Sequence, residues 1–203
     1  MARFLKKLIL LVICAALAAA GLALWLAPDP EYKLHSWLAT GRFTTYDALI
    51  ADAAQKHEVD PLLVKAMVWR ESTFHPDKVG TSGERGLMQV GEAAAQDWAK
   101  AEKIETFVPT DLFDPKTNLE VGTWYIRRAL ERWKAKENPV PFALAEYNAG
   151  RGRVDRWVAA TERGEEATAE HLTQVIDFPT TRKYIGDITA RQRFYRETAA
   201  PEK

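Results

Sequence analysis

From Leu8 to Ala27 the chain runs 20 residues without a charged side chain. At about 1.5 Å per helical residue that run reaches roughly 30 Å, the thickness of a bilayer's hydrocarbon core. Arg3, Lys6 and Lys7 precede it, and no further charge occurs before Asp29. Basic residues flank membrane spans on the cytoplasmic side, so the N-terminus is expected inside and everything after residue 27 outside. The rival reading is a cleaved signal peptide, whose apolar region is about 7–15 residues, with Ala18-Ala19-Ala20 as the small-residue cleavage site. The apolar run continues past that site through Leu22, Leu24, Trp25 and Leu26, so a cleaved product would begin on an apolar stub. The expectation is a retained anchor over residues 1–27. Cys14 lies within the run after bulky Ile13 and reads as a small lipid-facing residue.

The rest of the chain must then work on the outer side of a membrane. Residues 28–203 carry 25 basic and 28 acidic side chains, and the whole chain balances at 28 of each. That balance argues against a nucleic-acid binder, which needs clustered positive charge. One cysteine excludes a disulfide framework. The four histidines (His35, His57, His75, His171) show no ligand spacing, so no metal is expected. Neither a Walker-type phosphate loop nor a nucleophile elbow occurs. Seven tryptophans suit a protein that stacks ligands.

Residues 28–44 read as a linker with a partly apolar tether at Trp37-Leu38. After that, helix signals recur. A helix is expected over Tyr46–His57. Asp60-Pro61 supplies an N-cap and a first-turn proline for Pro61–Ser72. Others are expected over Glu92–Glu102, over Leu119–Ala135 capped by Asn118, and from Asn138-Pro139 through Tyr147. Arg153–Glu162 and Thr180–Glu197 complete the set, with a frayed tail from Ala199 to Lys203. No alternating strand pattern appears, so the fold class is all-α, with the domain spanning residues 45–198.

Two stretches are unusual for a plain helical bundle. A helix rich in Leu63, Val64, Met67, Val68 and Trp69 ends at Glu71, and a loop with Gly80, Gly83 and Gly86 leads on to Met88-Gln89. Glycine allows a ligand close to backbone. A carboxylate at a helix C-terminus is disfavoured by the helix dipole, and apolar neighbours add to that, so Glu71 is expected to hold its proton. The second stretch, Glu146-Tyr147-Asn148-Ala149-Gly150, puts polar groups at a helix end. Read alone, Tyr147 and Asn148 could equally be helix-stop chemistry.

These motifs resemble the catalytic domain of the soluble-lytic-transglycosylase (SLT) family, which has a lysozyme-like helical fold. Its Glu-Ser-x-Phe stands here as Glu71 to Phe74, its Gly-Leu-Met-Gln as Gly86 to Gln89, and its Tyr-Asn-Ala-Gly-x-Gly as Tyr147 to Gly152. A late Thr-x-x-Tyr matches Thr181 to Tyr184. The motifs occur in the family's order, over roughly Tyr46 to Tyr195. The resemblance implies that Glu71 is the catalytic acid and that Met88, Gln89, Tyr147, Asn148 and Tyr184 line a sugar cleft. Three departures stand out. Gly80 replaces a common serine, with Ser82 nearby as the candidate hydroxyl for substrate binding. Glu84 replaces an alanine, and Gly91-Glu92 stand where a proline is usual.

The resemblance also implies a substrate and a reaction. Glycan strands of peptidoglycan would be cut at the MurNAc–GlcNAc bond with closure of a 1,6-anhydro ring. Glu71 would act as acid and then as base, without a cofactor. The enzyme would be anchored in a bacterial inner membrane with its domain in the periplasm. Two rivals remain at this level: a hydrolytic muramidase with Glu84 or Glu146 as second carboxylate, and a non-catalytic wall-binding scaffold.

Overall fold

The computed structural model describes residues 2–25, 34 and 41–199. The expected Trp37-Leu38 tether and the tail beyond residue 199 lie outside the described residues. The chain divides into two units, residues 1–45 and 46–203.

In the first unit, α1 (Ala2–Trp25) is 24 residues long. Its stretch Lys6–Ala23 has a mean hydropathy of 2.1, and none of it is buried. An apolar helix exposed along this length needs a nonpolar surrounding, and by length and composition it can cross a membrane.

The second unit is built of helices. α2 covers Asp47–Lys56, α3 Pro61–Ser72, α4 Glu92–Ala101, α5 Pro115–Arg132 and α6 Val140–Ala149. α7 (Arg151–Ala160), α8 (Ala169–Val175) and α9 (Pro179–Ala199) complete the unit. Short 3₁₀ turns sit at Pro109–Phe113 and Gly164–Glu166. Among the described residues the only β pairing is two isolated bridges that pin the glycine loop, Val79 to Arg85 and Arg85 to Val90.

Caps explain the boundaries. Asp60 accepts a hydrogen bond from the Leu62 N–H at 2.8 Å, with Pro61 at the first helical position, as the sequence predicts. α5 differs from expectation. It starts four residues early, at Pro115, because Asp114-Pro115 repeats the same signal and Asp114 accepts from the Thr117 N–H at 2.8 Å. Asn118 is therefore inside the helix, fully buried, and its amide serves another purpose. α8 has no counterpart in the sequence reading; its seven residues are too few to show a helical period.

α6 is the central element. Phe142, Ala143, Leu144 and Ala145 are all fully buried, as expected of a helix apolar on every side. α9 packs along both α3 and α6, and α5 packs on α6 from the other direction. Full burial of a side chain such as Phe142 or Leu144 contributes about 1.5–3 kcal/mol. This packing brings three chain points together: the C-terminus of α3, the C-terminus of α6 and the first turns of α9.

Candidate active site

Glu71 is the penultimate residue of α3 and is half-buried. The chain leaves the helix through Thr73 and Phe74, both in the left-handed region at φ 51° and 61°. Non-glycine residues there hold about 1–3 kcal/mol of strain each. The double turn sends Phe74 into the core, 1% exposed, and leaves Glu71 at the rim of it. The Lys78 ammonium donates to the Glu71 backbone carbonyl, one of the acceptors that a helix end leaves unpaired.

The Glu71 carboxyl accepts a 2.6 Å hydrogen bond from the Tyr184 hydroxyl of α9. Burial pushes its pKa up from the ordinary 4.5 to about 7. The Tyr184 hydrogen bond and the charges of Arg70 and Lys78 act downwards, and the charge of Glu84 acts upwards. Desolvation wins, so Glu71 keeps its proton close to neutral pH, in the direction expected from the sequence. Burial and the nearby Glu71 charge push the Tyr147 and Tyr184 phenols far up, so both remain hydrogen-bond donors.

The glycine loop is held from beneath by Asn118. Its amide NH₂ donates to the carbonyls of Arg85 and Leu112, both at 2.8 Å, and its oxygen accepts from the Met88 N–H at 2.7 Å. Gly86 makes this possible. It has φ +76°, and a Cβ there would lie 2.3 Å from both the Asn118 amide nitrogen and the Leu112 carbonyl. Gly122 of α5 plays the matching part for Met88, whose sulfur would stand 2.5 Å from a Cβ at that position.

The side chains named from sequence converge unequally. Tyr184 touches Glu71. Tyr147 donates to the Met88 carbonyl at 3.0 Å and stacks edge-on against Tyr125 at 5.8 Å. Gln89, at φ 49°, donates its amide to the carbonyls of Lys78 (3.1 Å) and Gly86 (3.0 Å). Asn148 is exposed, and its oxygen accepts from the Thr181 hydroxyl at 2.8 Å. Met88 departs from the expectation of a cleft-lining side chain. Its side chain is fully buried against Gly122 and Thr123, and only its carbonyl serves Tyr147. Ser82 is exposed, and its N–H donates to the Glu84 carboxylate at 3.1 Å.

Of the two rival carboxylates, Glu146 is committed elsewhere. It is 4% exposed and is held by Arg132 and by the Trp133 indole N–H at 2.8 Å. Sequence reasoning missed Arg70, Lys78, Tyr125 and the loop-bracing role of Asn118. Lys78 and Asn118 carry ordinary surface-residue signals, and only the folded loop assigns them a task. Among the described residues no group of three His, Cys, Asp or Glu side chains is placed to hold a metal ion.

A proton-holding carboxyl at a helix end, backed by a tyrosine hydroxyl in an all-helical domain, is an arrangement suited to acid–base chemistry. Residues 48–169 match the profile of the transglycosylase SLT domain, and the chain belongs to that family. It is 30% identical over 152 residues to the soluble lytic murein transglycosylase of Escherichia coli K12, covering 74% of this chain and 23% of the relative. It is 30% identical over 162 residues to the membrane-bound lytic murein transglycosylase F of Desulfosudis oleivorans, covering 77% and 34%. The crystal structure of the 70 kDa soluble lytic transglycosylase of Escherichia coli superposes with TM-score 0.68 and 28% identity, over 75% of this chain and 24% of that one. The chain thus spans about a quarter to a third of the length of these relatives.

Proposed function

We propose that the protein is a peptidoglycan lytic transglycosylase, and the observation that carries this reading is the half-buried Glu71 carboxyl, protonated near neutral pH and held by Tyr184. Protonated Glu71 gives its proton to the glycosidic oxygen between MurNAc and GlcNAc as that bond breaks. The substrate's acetamido group can stabilise the positive centre at C1. Glu71, now a carboxylate, takes the proton of the C6 hydroxyl, and that oxygen closes on C1 to form the 1,6-anhydro ring. Water is not consumed, and Glu71 ends in its starting state. Tyr184 positions Glu71, while Tyr147, Gln89 and Asn148 shape the cleft and orient the sugar.

An inverting hydrolase needs a second carboxylate to activate water, and a retaining one needs a nucleophile close by. Glu146 is engaged with Arg132 and Trp133, which argues against it in either part. The tethered C6 hydroxyl has instead the advantage of an intramolecular nucleophile. The relatives named lytic murein transglycosylases support the same chemistry.

For location, we propose that α1 stays uncleaved as a single-pass inner-membrane anchor and that the domain works in the periplasm. Three basic residues lead the span, and relatives include membrane-bound enzymes. Its partner is the glycan strand itself.

The test is the product. Full-length protein incubated with purified sacculi is expected to release muropeptides that end in 1,6-anhydro-MurNAc. They are lighter than hydrolytic fragments by one water and inert to borohydride. Main products that reduce with borohydride would make the protein a muramidase, and no release at all would leave a wall-binding scaffold.

A further inference from the structure

We propose that Glu84 is a second substrate-contacting carboxylate of this site, seated in the space that a side chain at position 80 would otherwise fill. The inference rests on the reading of the site as a glycan-cleaving centre and goes beyond it in naming a contact residue.

Gly80 shows where the space comes from. A Cβ on Gly80 would lie 2.4 Å from Glu84 Oε2 and 2.9 Å from Gln89 Oε1. Its backbone is outside the left-handed region, so glycine is required here for room and not for conformation. Any larger residue at position 80 would displace the Glu84 carboxylate. Glycine at 80 and glutamate at 84 are thus one arrangement, and the two sequence departures share one explanation.

The carboxylate is also held. Its Oε2 accepts from the Ser82 N–H at 3.1 Å, and the Gly80 N–H donates to the Glu84 carbonyl at 2.7 Å. Oε1 receives no hydrogen bond from the described residues, and the side chain is only half-buried, so that oxygen can be reached by a ligand. Gln89, whose oxygen also lies against Gly80, is anchored through its NH₂, and that oxygen has no donor among the described residues. The Glu84 carboxylate and the Gln89 amide oxygen therefore lie together beside Gly80. The complementary donors on a bound glycan strand are sugar hydroxyls and acetamido N–H groups. A hydrogen bond to a charged acceptor is the stronger kind.

Glu84 is near enough for its charge to act on Glu71. The other groups facing Glu71 are Arg70 on its own helix, Lys78 on the loop, Tyr147 on α6 with Tyr125 of α5 behind it, and Tyr184 on α9. Arg70 is in turn held by Asp187 at 3.0 Å, and Asp187 by Lys183 at 2.9 Å. Among these, Glu84 alone favours the acid form by its charge. Its removal therefore shifts Glu71 towards the carboxylate.

The experiment measures kcat and KM of the full-length protein on sacculi as a function of pH for wild type, Glu84→Gln and Glu84→Ala, with circular dichroism as the fold check. Glu84→Gln keeps an oxygen for the Ser82 N–H but loses the charge. Its alkaline limb is expected to move to lower pH. Glu84→Ala is expected to raise KM by about tenfold or more, the effect of one charge-assisted hydrogen bond. Gly80→Ser is expected to impair wild type and to add little in the Glu84→Ala background, because both changes vacate the same seat. If Glu84→Ala fails to fold, the KM of Glu84→Gln decides, because the amide keeps the Ser82 contact and loses only the charge. Folded variants with wild-type KM overturn the inference, as do additive effects of Gly80→Ser and Glu84→Ala. Wild type that releases nothing from sacculi overturns the underlying function instead, which separates the two failures.

Discussion

Replacing Glu71 by Gln is expected to inactivate the enzyme and, towards neutral pH and above, to stabilise it. Glu71 has an ordinary pKa of 4.5 in the unfolded chain and about 7 in the folded one. Below 4.5 both states hold the proton, and the buried carboxyl carries no ionic penalty. Between 4.5 and about 7 the unfolded chain releases its proton while the folded one keeps it. Each pH unit in that window then removes about 1.36 kcal/mol of stability. Across the window the loss is roughly 3 kcal/mol, complete above about pH 7. The sign is that of a raised acid: the stability is present at low pH and lost as pH rises. The introduced amide cannot ionise, and its oxygen can still accept from Tyr184, so the variant escapes the loss. For a domain of this size, 1 kcal/mol moves Tm by about 2–4 °C, so the variant should melt roughly 6–12 °C higher than wild type at about pH 8. At about pH 4 the two should nearly coincide. Turnover should fall by about 10²–10⁴-fold or more, since one group performs both proton transfers. Thermal melts at the two pH values check the stability half. An equal offset at both pH values, or a variant less stable than wild type at the higher one, would refute the argument that desolvation dominates at Glu71.

Tyr184→Phe removes the donor to Glu71 and should move the alkaline limb of the pH–rate profile upward, because that hydrogen bond favours the carboxylate; turnover should also fall about tenfold from lost positioning. An unmoved limb would show that the 2.6 Å contact does not tune the acid. Glu146→Gln should lower stability by about 1–3 kcal/mol, read by urea denaturation, because the half-buried Arg132 loses its charged acceptor. Its released products should remain borohydride-resistant, and a switch to reducing ends would restore Glu146 as a rival carboxylate.

Much of the site is legible in the order of short motifs. Glu71 stands where an apolar helix meets a proline-containing turn, and Tyr147-Asn148 where the most apolar helix of the second unit ends in glycine. Among the described residues Asp-Pro marks the caps at Asp60 and Asp114, yet Asn118 has the signature of a cap and is none. A buried asparagine and a capping one carry the same residue type, and only the partners tell them apart. Met88 departs from its expected place for a related reason. A side chain beside a functional loop can face the ligand or the core, and Gly122, more than thirty residues away in sequence, decides it.

By itself the sequence determined the span-length apolar run and the all-helical class, because both are written in local composition and spacing, and it marked the candidate acid through the ordered motifs that resemble the SLT family. Only the tertiary structure decided how that acid behaves. Desolvation, the Tyr184 hydroxyl 113 positions along the chain, and the charges of Arg70, Lys78 and Glu84 act on Glu71 together. Their balance depends on distances that no local pattern encodes. The same holds for the seat over Gly80, since a missing side chain has no meaning until the group that fills its space is known.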